Sequence, residues 1–211
     1  MRFIENGFEL SKPLFTALAS IRNTKKGAHP ACRLWYWDPR RTSLHVLGES
    51  MLLRVVGDIV EFAENDSKAY PFDVEILRKE VIPHIVKGTT LRVVVIDDGL
   101  VAQAVQDATD TDPEEVLFTV PLNHACCPTP PNTDMLDGTI PPMKTAASLR
   151  SPYIHGPALD SLAKVAKAMK ANAVRFQPPI AEDDLAPIRA DFALPETAGR
   201  WTAMLMPVKP V

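Results

Sequence analysis

The chain has 211 residues, 46% hydrophobic and 23% charged, with a formal net charge of -3. That is enough apolar content to bury a core, and no run of about 18 apolar residues is present to span a bilayer as a helix. The mildly acidic balance excludes a surface that is basic all over, while permitting one basic face on an acidic body.

The opening residues, MRFIENGFEL, lack the basic start and apolar run of a signal peptide, so a cytoplasmic location is expected. GFELS reads as a short strand ending in a helix N-cap at Ser11. In SKPLFTALASIRN, Leu14, Phe15, Leu18 and Ile21 recur at helical spacing, and Pro13 suits a first turn. CRLWYWDP, SLHVLGES and LLRVVGDIVEF follow as strand-like runs divided by turn residues. Within WYW, Trp35 and Trp37 share one strand face and Tyr36 takes the other, a pattern open to core packing or to base stacking.

The same order then repeats. KAYPFD is a strand. VEILRKEVIPHIVK is a helix with Ile76, Leu77 and Val81 inward, kinked or broken at Pro83. TLRVVVIDD, LVAQAVQD and EVLFTVPL are three strands. The DDG at Asp97–Gly99 falls between two of them, where Asp and Gly are hairpin chemistry rather than a metal-binding pair. Residues 123–147 form a connector rich in proline, a residue that outnumbers glycine by 20 to 9 in the chain. A third pass follows: a strand at SPYIHG, the helix ALDSLAKVAKAMK, then AVRFQPP, APIRADFAL and RWTAMLMPVKP. The expected organisation is therefore residues 1–122 as a domain of two β-α-β-β-β units, 123–147 as a connector, and 148–211 as a third unit, or half-domain. The fold class is α+β, with antiparallel sheets and helices on one face.

Charge is distributed unevenly over these units. The first helix carries Lys12 and Arg22, with Lys25 and Lys26 just beyond its end. The third carries Lys164, Lys167 and Lys170 against one acid, Asp160. On a helical wheel Leu159, Leu162, Val165 and Met169 make one face and the lysines the other. The second helix is more balanced: Arg78, Lys79 and Lys87 against Glu75 and Glu80. Acids gather between strands, in EFAEND, DATDTDPEE and EDD. Charged outer faces are ordinary on soluble helices; a curved sheet with its helices inward would also separate the two signs.

His124, Cys126 and Cys127, in HACC, are the one compact set of soft ligands. Adjacent cysteines with a single nearby histidine do not have zinc-site spacing, and no third group is evident to orient a cysteine nucleophile. Three cysteines, two of them adjacent, fit a reducing compartment. No glycine-rich phosphate loop occurs. Nothing in the sequence argues for an enzyme, a metal or a cofactor.

Repeated strand–helix–three-strand units with basic helices resemble the DNA sliding clamps, and specifically the bacterial type, the beta subunit of DNA polymerase III. The last quarter carries the motifs: ALDSLAKVAKAM, AVRFQ, APIRADF and WTAMLMPVKP follow one another as the end of that family does. DGTIPPM resembles, more loosely, a segment before an inter-domain crossing. The resemblance implies a DNA-clamp-like fold and a processivity factor that binds duplex DNA without sequence preference. Its partners would be a DNA polymerase and a clamp loader, at the nucleoid or replication site. It implies phosphate contacts from Lys12, Arg22, Lys25, Lys26, Lys164, Lys167 and Lys170, with Arg78, Lys79 and Lys87 beside them. It also implies an apolar groove for partner peptides at Met206, Pro207 and Val208; packing of Met204 and Met206 in the core of an edge strand is the alternative. A family domain pairs two units, so three units make one and a half domains, and ring closure would need half-domains to pair between chains as a homo-oligomer. The short form points to a phage or other mobile element. The alternative is a clamp-fold interaction protein that does not encircle DNA and binds or mimics the host clamp.

Overall fold

The computed structural model describes residues 1–21, 34–48, 51–57, 69–97, 99–122, 153–177, 187–194 and 199–208. Strands β1 (Arg2–Ile4) and β2 (Gly7–Leu10) form a hairpin whose turn places Asn6 at φ 58, a left-handed conformation that asparagine tolerates. Helix α1 (Lys12–Ala19) and strands β3 (Leu34–Asp38), β4 (Ser43–Leu47) and β5 (Met51–Val56) complete the first unit. The second comprises β6 (Tyr70–Asp73), a helical segment beginning with α2 (Val74–Ile76), and β7 (Thr89–Ile96), β8 (Gly99–Gln106) and β9 (Glu115–Pro121). The third comprises α3 (Gly156–Met169), β10 (Ala173–Gln177), β11 (Ile188–Ala193) and β12 (Arg200–Leu205). No described helix is long and apolar enough to cross a membrane.

The strands make two antiparallel sheets, in the orders β1-β2-β7-β8-β9 and β10-β11-β12-β5-β4-β3-β6. The first two units exchange their opening strands. β2 runs into α1, yet it pairs with β7 of the second unit, Phe8 opposite Val93. β6 runs into α2, yet it pairs with β3 of the first, Phe72 opposite Trp35. Gly7 permits the first exchange, because a Cβ there would collide with the Val93 carbonyl oxygen. The third unit joins through β12, which pairs with β5 from Arg200–Val56 to Leu205–Met51.

Alternation along the strands sends one row of side chains per sheet into a shared core. In the longer sheet, Phe176, Ala190, Ala203, Leu53, Val46, Trp35 and Phe72 stand opposite one another in turn. All but Phe176 are fully buried. Trp35 packs on Phe15 of α1 and on Phe72, with centroids 5.6 and 6.0 Å apart. Trp37 meets Phe8 of the other sheet at 5.1 Å. Burial of each such side chain contributes about 1.5–3 kcal/mol before chain entropy is set against it. Trp35, Tyr36 and Trp37 are all fully buried, so WYW is core and offers no base-stacking surface.

Three expected elements differ. The second helix is α-helical only over Val74–Ile76, widens to a π-helix over Leu77–Val81 and tightens to a 3-10 turn over Ile82–His84. Pro83 supplies no N–H and its ring crowds the carbonyl four residues back, so regular i→i−4 bonding fails there. Of the strand expected at SPYIHG, the described residues form one bridge, Ile154 with Pro207, and accept a Val208 N–H at the Tyr153 carbonyl, 2.8 Å away. Among the described residues it finds no second unit's sheet to enter, as β2 and β6 do. And β12 is an interior strand with neighbours on both sides, not an edge. At DDG, Ile96 pairs with Gly99 and Asp97 has φ 47, the left-handed geometry of a tight hairpin turn.

Candidate nucleic-acid interface

Helices α1 and α3 pack on each other, and α1 also touches the end of the second helical segment. At one end of α1, Lys12 Nζ donates to the Ile85 carbonyl at 3.0 Å, tying the helix to the end of the second helical segment. At the other end, Ser161 Oγ of α3 donates to the Ser20 carbonyl at 3.2 Å, satisfying an acceptor in the last turn before Ile21. Leu14, Phe15, Ala17 and Leu18 of α1 are buried, as are Ala158, Ser161, Leu162 and Val165 of α3. The buried face of α3 is thus rotated toward α1 from the one expected. Leu159 is exposed and Met169 half-buried, because the small Ala158 and Ser161 let the two helices approach.

Seven of the candidate cations are described, and all are exposed: Lys12, Arg78, Lys79, Lys87, Lys164, Lys167 and Lys170. Arg22, Lys25 and Lys26 lie outside the described residues. Lys164 pairs with Asp160 at 2.6 Å across one helical turn, so part of its charge is locally neutralised. Arg78 pairs more loosely with Glu75, at 3.5 Å. Lys167 stands in the last turn of α3 and Lys170 caps it in a left-handed conformation, φ 56. Both therefore favour the negative end of the helix dipole. Lys12 occupies the unfavourable positive end of α1, and its bond to Ile85 offsets that placement.

The acids of the 107–115 loop are exposed between β8 and β9. Glu114 reaches Arg92 at 2.6 Å, and Arg92 also holds Glu9 Oε1 at 2.7 Å while Arg2 holds Glu9 Oε2 at 2.7 Å. Strand alternation puts Glu9 on the opposite side of its sheet from the buried Phe8 and Leu10. Burial alone would raise the Glu9 carboxyl, but the hydrogen bonds and charges of Arg2 and Arg92 outweigh it and hold it below the ordinary carboxylate range. The sequence marks each member, a lone acid in GFEL and a lone base in LRVVVI, but not that the two meet. The EFAEND and EDD runs lie outside the described residues.

At the chain's end, Pro207 is buried on Ile154, with Met206 and Val208 exposed to either side and Tyr153 beside them. The three residues expected at a peptide groove are therefore part of an apolar surface, with two of them accessible. His124, Cys126 and Cys127 lie outside the described residues; among those described, no three His, Cys, Asp or Glu side chains gather as a metal site.

No family model matches the sequence, and no curated protein does. Solved structures do match. A structure described as a DNA polymerase III beta subunit, from Eubacterium rectale, aligns with a TM-score of 0.53 over 99% of this chain and 67% of that one, at 10% identity. The beta subunit from the DNA polymerase of Streptococcus pyogenes gives 0.52 over 100% and 67%, at 12% identity. A DNA polymerase sliding clamp from Pseudomonas aeruginosa gives 0.50 over 98% and 67%, also at 12%. The chain shares the fold of these proteins and spans about two thirds of their length.

Proposed function

We propose that this chain is a sliding-clamp-like processivity factor for a DNA polymerase, holding duplex DNA through phosphate contacts from its helical face. The observation that carries this reading is that α1 is tied to both other helical segments, at Lys12–Ile85 and Ser161–Ser20, with every described candidate cation exposed. Such contacts position a protein on DNA but carry no base information, which suits sliding. Residues 1–122 act as the complete domain, 123–147 as the connector and 148–211 as the half-domain. The protein works as a homo-oligomer in the cytoplasm, at the nucleoid or replication site, with a polymerase and a clamp loader as partners. Met206, Pro207 and Val208 form the seat for partner peptides, with Met206 and Val208 as its accessible apolar anchors, the usual energetic centre of such contacts.

The test is charge reversal of the α3 lysines, Lys164→Glu, Lys167→Glu and Lys170→Glu together. Weaker DNA association is expected, and a log–log salt slope flatter by about 3, near one unit per phosphate contact removed. Retention on circular DNA equal to that of the parent chain would count against the reading. The second reading, a clamp-fold protein that does not encircle DNA and binds or mimics the host clamp, is favoured by the β10 edge of the third unit, which is unpaired among the described residues. It predicts co-purification with a host clamp and indifference to the lysine reversals.

A further inference from the structure

The third unit is built to receive a strand that, among the described residues, it does not have. In the first two units, the strand that follows the helix accepts the opening strand of the other unit: β3 accepts β6, and β7 accepts β2. β10 holds the same place in the third unit and, among the described residues, pairs only with β11. The opening segment of this unit, Tyr153–Ile154, is held by one bridge instead of a ladder. Its apolar surface is correspondingly uncovered. Of the nine large hydrophobic side chains that stay exposed among the described residues, five belong here: Tyr153, Leu159, Phe176, Met206 and Val208. Phe176 is the sharpest case. It stands in a core row whose other six members are buried, and it is 46% exposed.

We propose that two copies of this chain complete one domain between them, each giving its Tyr153–Ile154 segment to the β10 edge of the other. A second copy is the occupant because the exchange already made between β2 and β6 is reciprocal. A third unit facing another third unit offers the same two parts, an opening segment held only by the Ile154–Pro207 bridge and the Val208–Tyr153 hydrogen bond, and a β10 edge that is unpaired among the described residues. The pairing is then isologous, with a two-fold axis between the two α3 helices. It supplies the backbone partners that an open strand edge lacks and covers Phe176 on both sides of the axis. This deepens the homo-oligomer reading above and rests on it, but it needs no bound DNA.

The experiment is light scattering after gel filtration, over a dilution series, on the parent chain and on Phe176→Glu and Leu117→Glu. Leu117, on the β9 edge, is also exposed and serves as the control. A dimer is expected for the parent and for Leu117→Glu, with at least a tenfold weaker dimer for Phe176→Glu. Hydrogen exchange on the parent removes any dependence on a variant's folding. Amides of 153–155 and 173–177 should exchange more slowly as concentration rises. A dimer lost in Leu117→Glu and kept in Phe176→Glu, or protection confined to β9, would overturn strand exchange while leaving the oligomer reading standing. A monomer at all concentrations would overturn both.

Discussion

Phe72 and Phe176 lie in the same cross-sheet row, at opposite edges of the seven-stranded sheet. Phe72, on β6, is fully buried, its ring 6.5 Å from Phe8 of the facing sheet. Phe176, on β10, is 46% exposed. Both are aromatic residues on short edge strands, so neither propensity nor pattern separates them. What separates them is company: β6 is one half of a reciprocal exchange, and a second sheet closes over it. In the first two units the strand after the helix is finished by the other unit's first strand, whereas among the described residues β10 has a partner on one side only.

The widest gap is expected from deleting both rings. Phe72→Ala should lower stability by about 3–5 kcal/mol, the usual range for emptying a fully buried aromatic site. Phe176→Ala should cost under about 1 kcal/mol in dilute solution, where half the ring already meets water. Urea midpoints with m-values held constant are the measurement. Equal losses at low concentration would break the contrast, by showing β10 to be as well covered as β6. A Phe176→Ala loss that grows with protein concentration would sharpen it.

Next in size is Glu9. Its carboxylate, fixed by Arg2 and Arg92, lies on the face of β2 away from the core. Glu9→Gln should cost about 1–3 kcal/mol near neutral pH, through lost charge-assisted hydrogen bonds and two under-paired guanidinium groups. The folded-state carboxyl sits below its ordinary value. The stabilisation is therefore fully present above the unfolded carboxylate's range and is lost as pH falls through the depressed folded value. Urea midpoints of parent and variant should converge as pH drops below about 4. A gap independent of pH would mean that shape, not charge, holds the cluster.

Much of this was legible in the residues. Helical spacing in LFTAL and the run of β-branched residues in RVVVI mark elements whose order is local, and the Asp97 turn is written in DDG. Partner choice was not legible. Nothing in GFEL says that it joins β7 rather than its own unit's β3, because strand pairing is decided by burial across the whole core. The same limit applies to SPYIHG, which has the composition of a strand and, among the described residues, makes only the Ile154–Pro207 bridge. On α3, the wheel located the exposed lysines but put Leu159 inward, since it could not know that Ser161 would turn toward Ser20. The Glu9–Arg92 pair joins residues 83 positions apart, a distance over which a single sequence carries no pairing signal.

A smaller effect tests how the third unit is attached. Ser161→Ala removes the hydroxyl that α3 donates to Ser20 at 3.2 Å. The cost should be about 0.5–1.5 kcal/mol, one hydrogen bond to a part-buried carbonyl. Hydrogen exchange locates it: protection should fall in α3 and at the end of α1, and stay unchanged in β7–β9. Uniform loss across all strands would mean that the third unit unfolds only together with the other two.

The smallest effect separates stability from DNA association. Asp160 and Lys164 are 62% and 54% exposed and paired across one helical turn. Asp160→Ala should change stability by no more than about 0.5 kcal/mol, because solvent screens such a pair. It also releases Lys164 from its local partner and removes one negative charge from the helix face. A phosphate-binding α3 should then hold duplex DNA more tightly, with a salt slope steeper by up to about one unit. Unfolding midpoints and fluorescence anisotropy on the same samples read the two quantities separately. If DNA association is unchanged while Lys164 is free, the lysines of α3 are a solvated outer face, and whatever this domain binds it binds elsewhere.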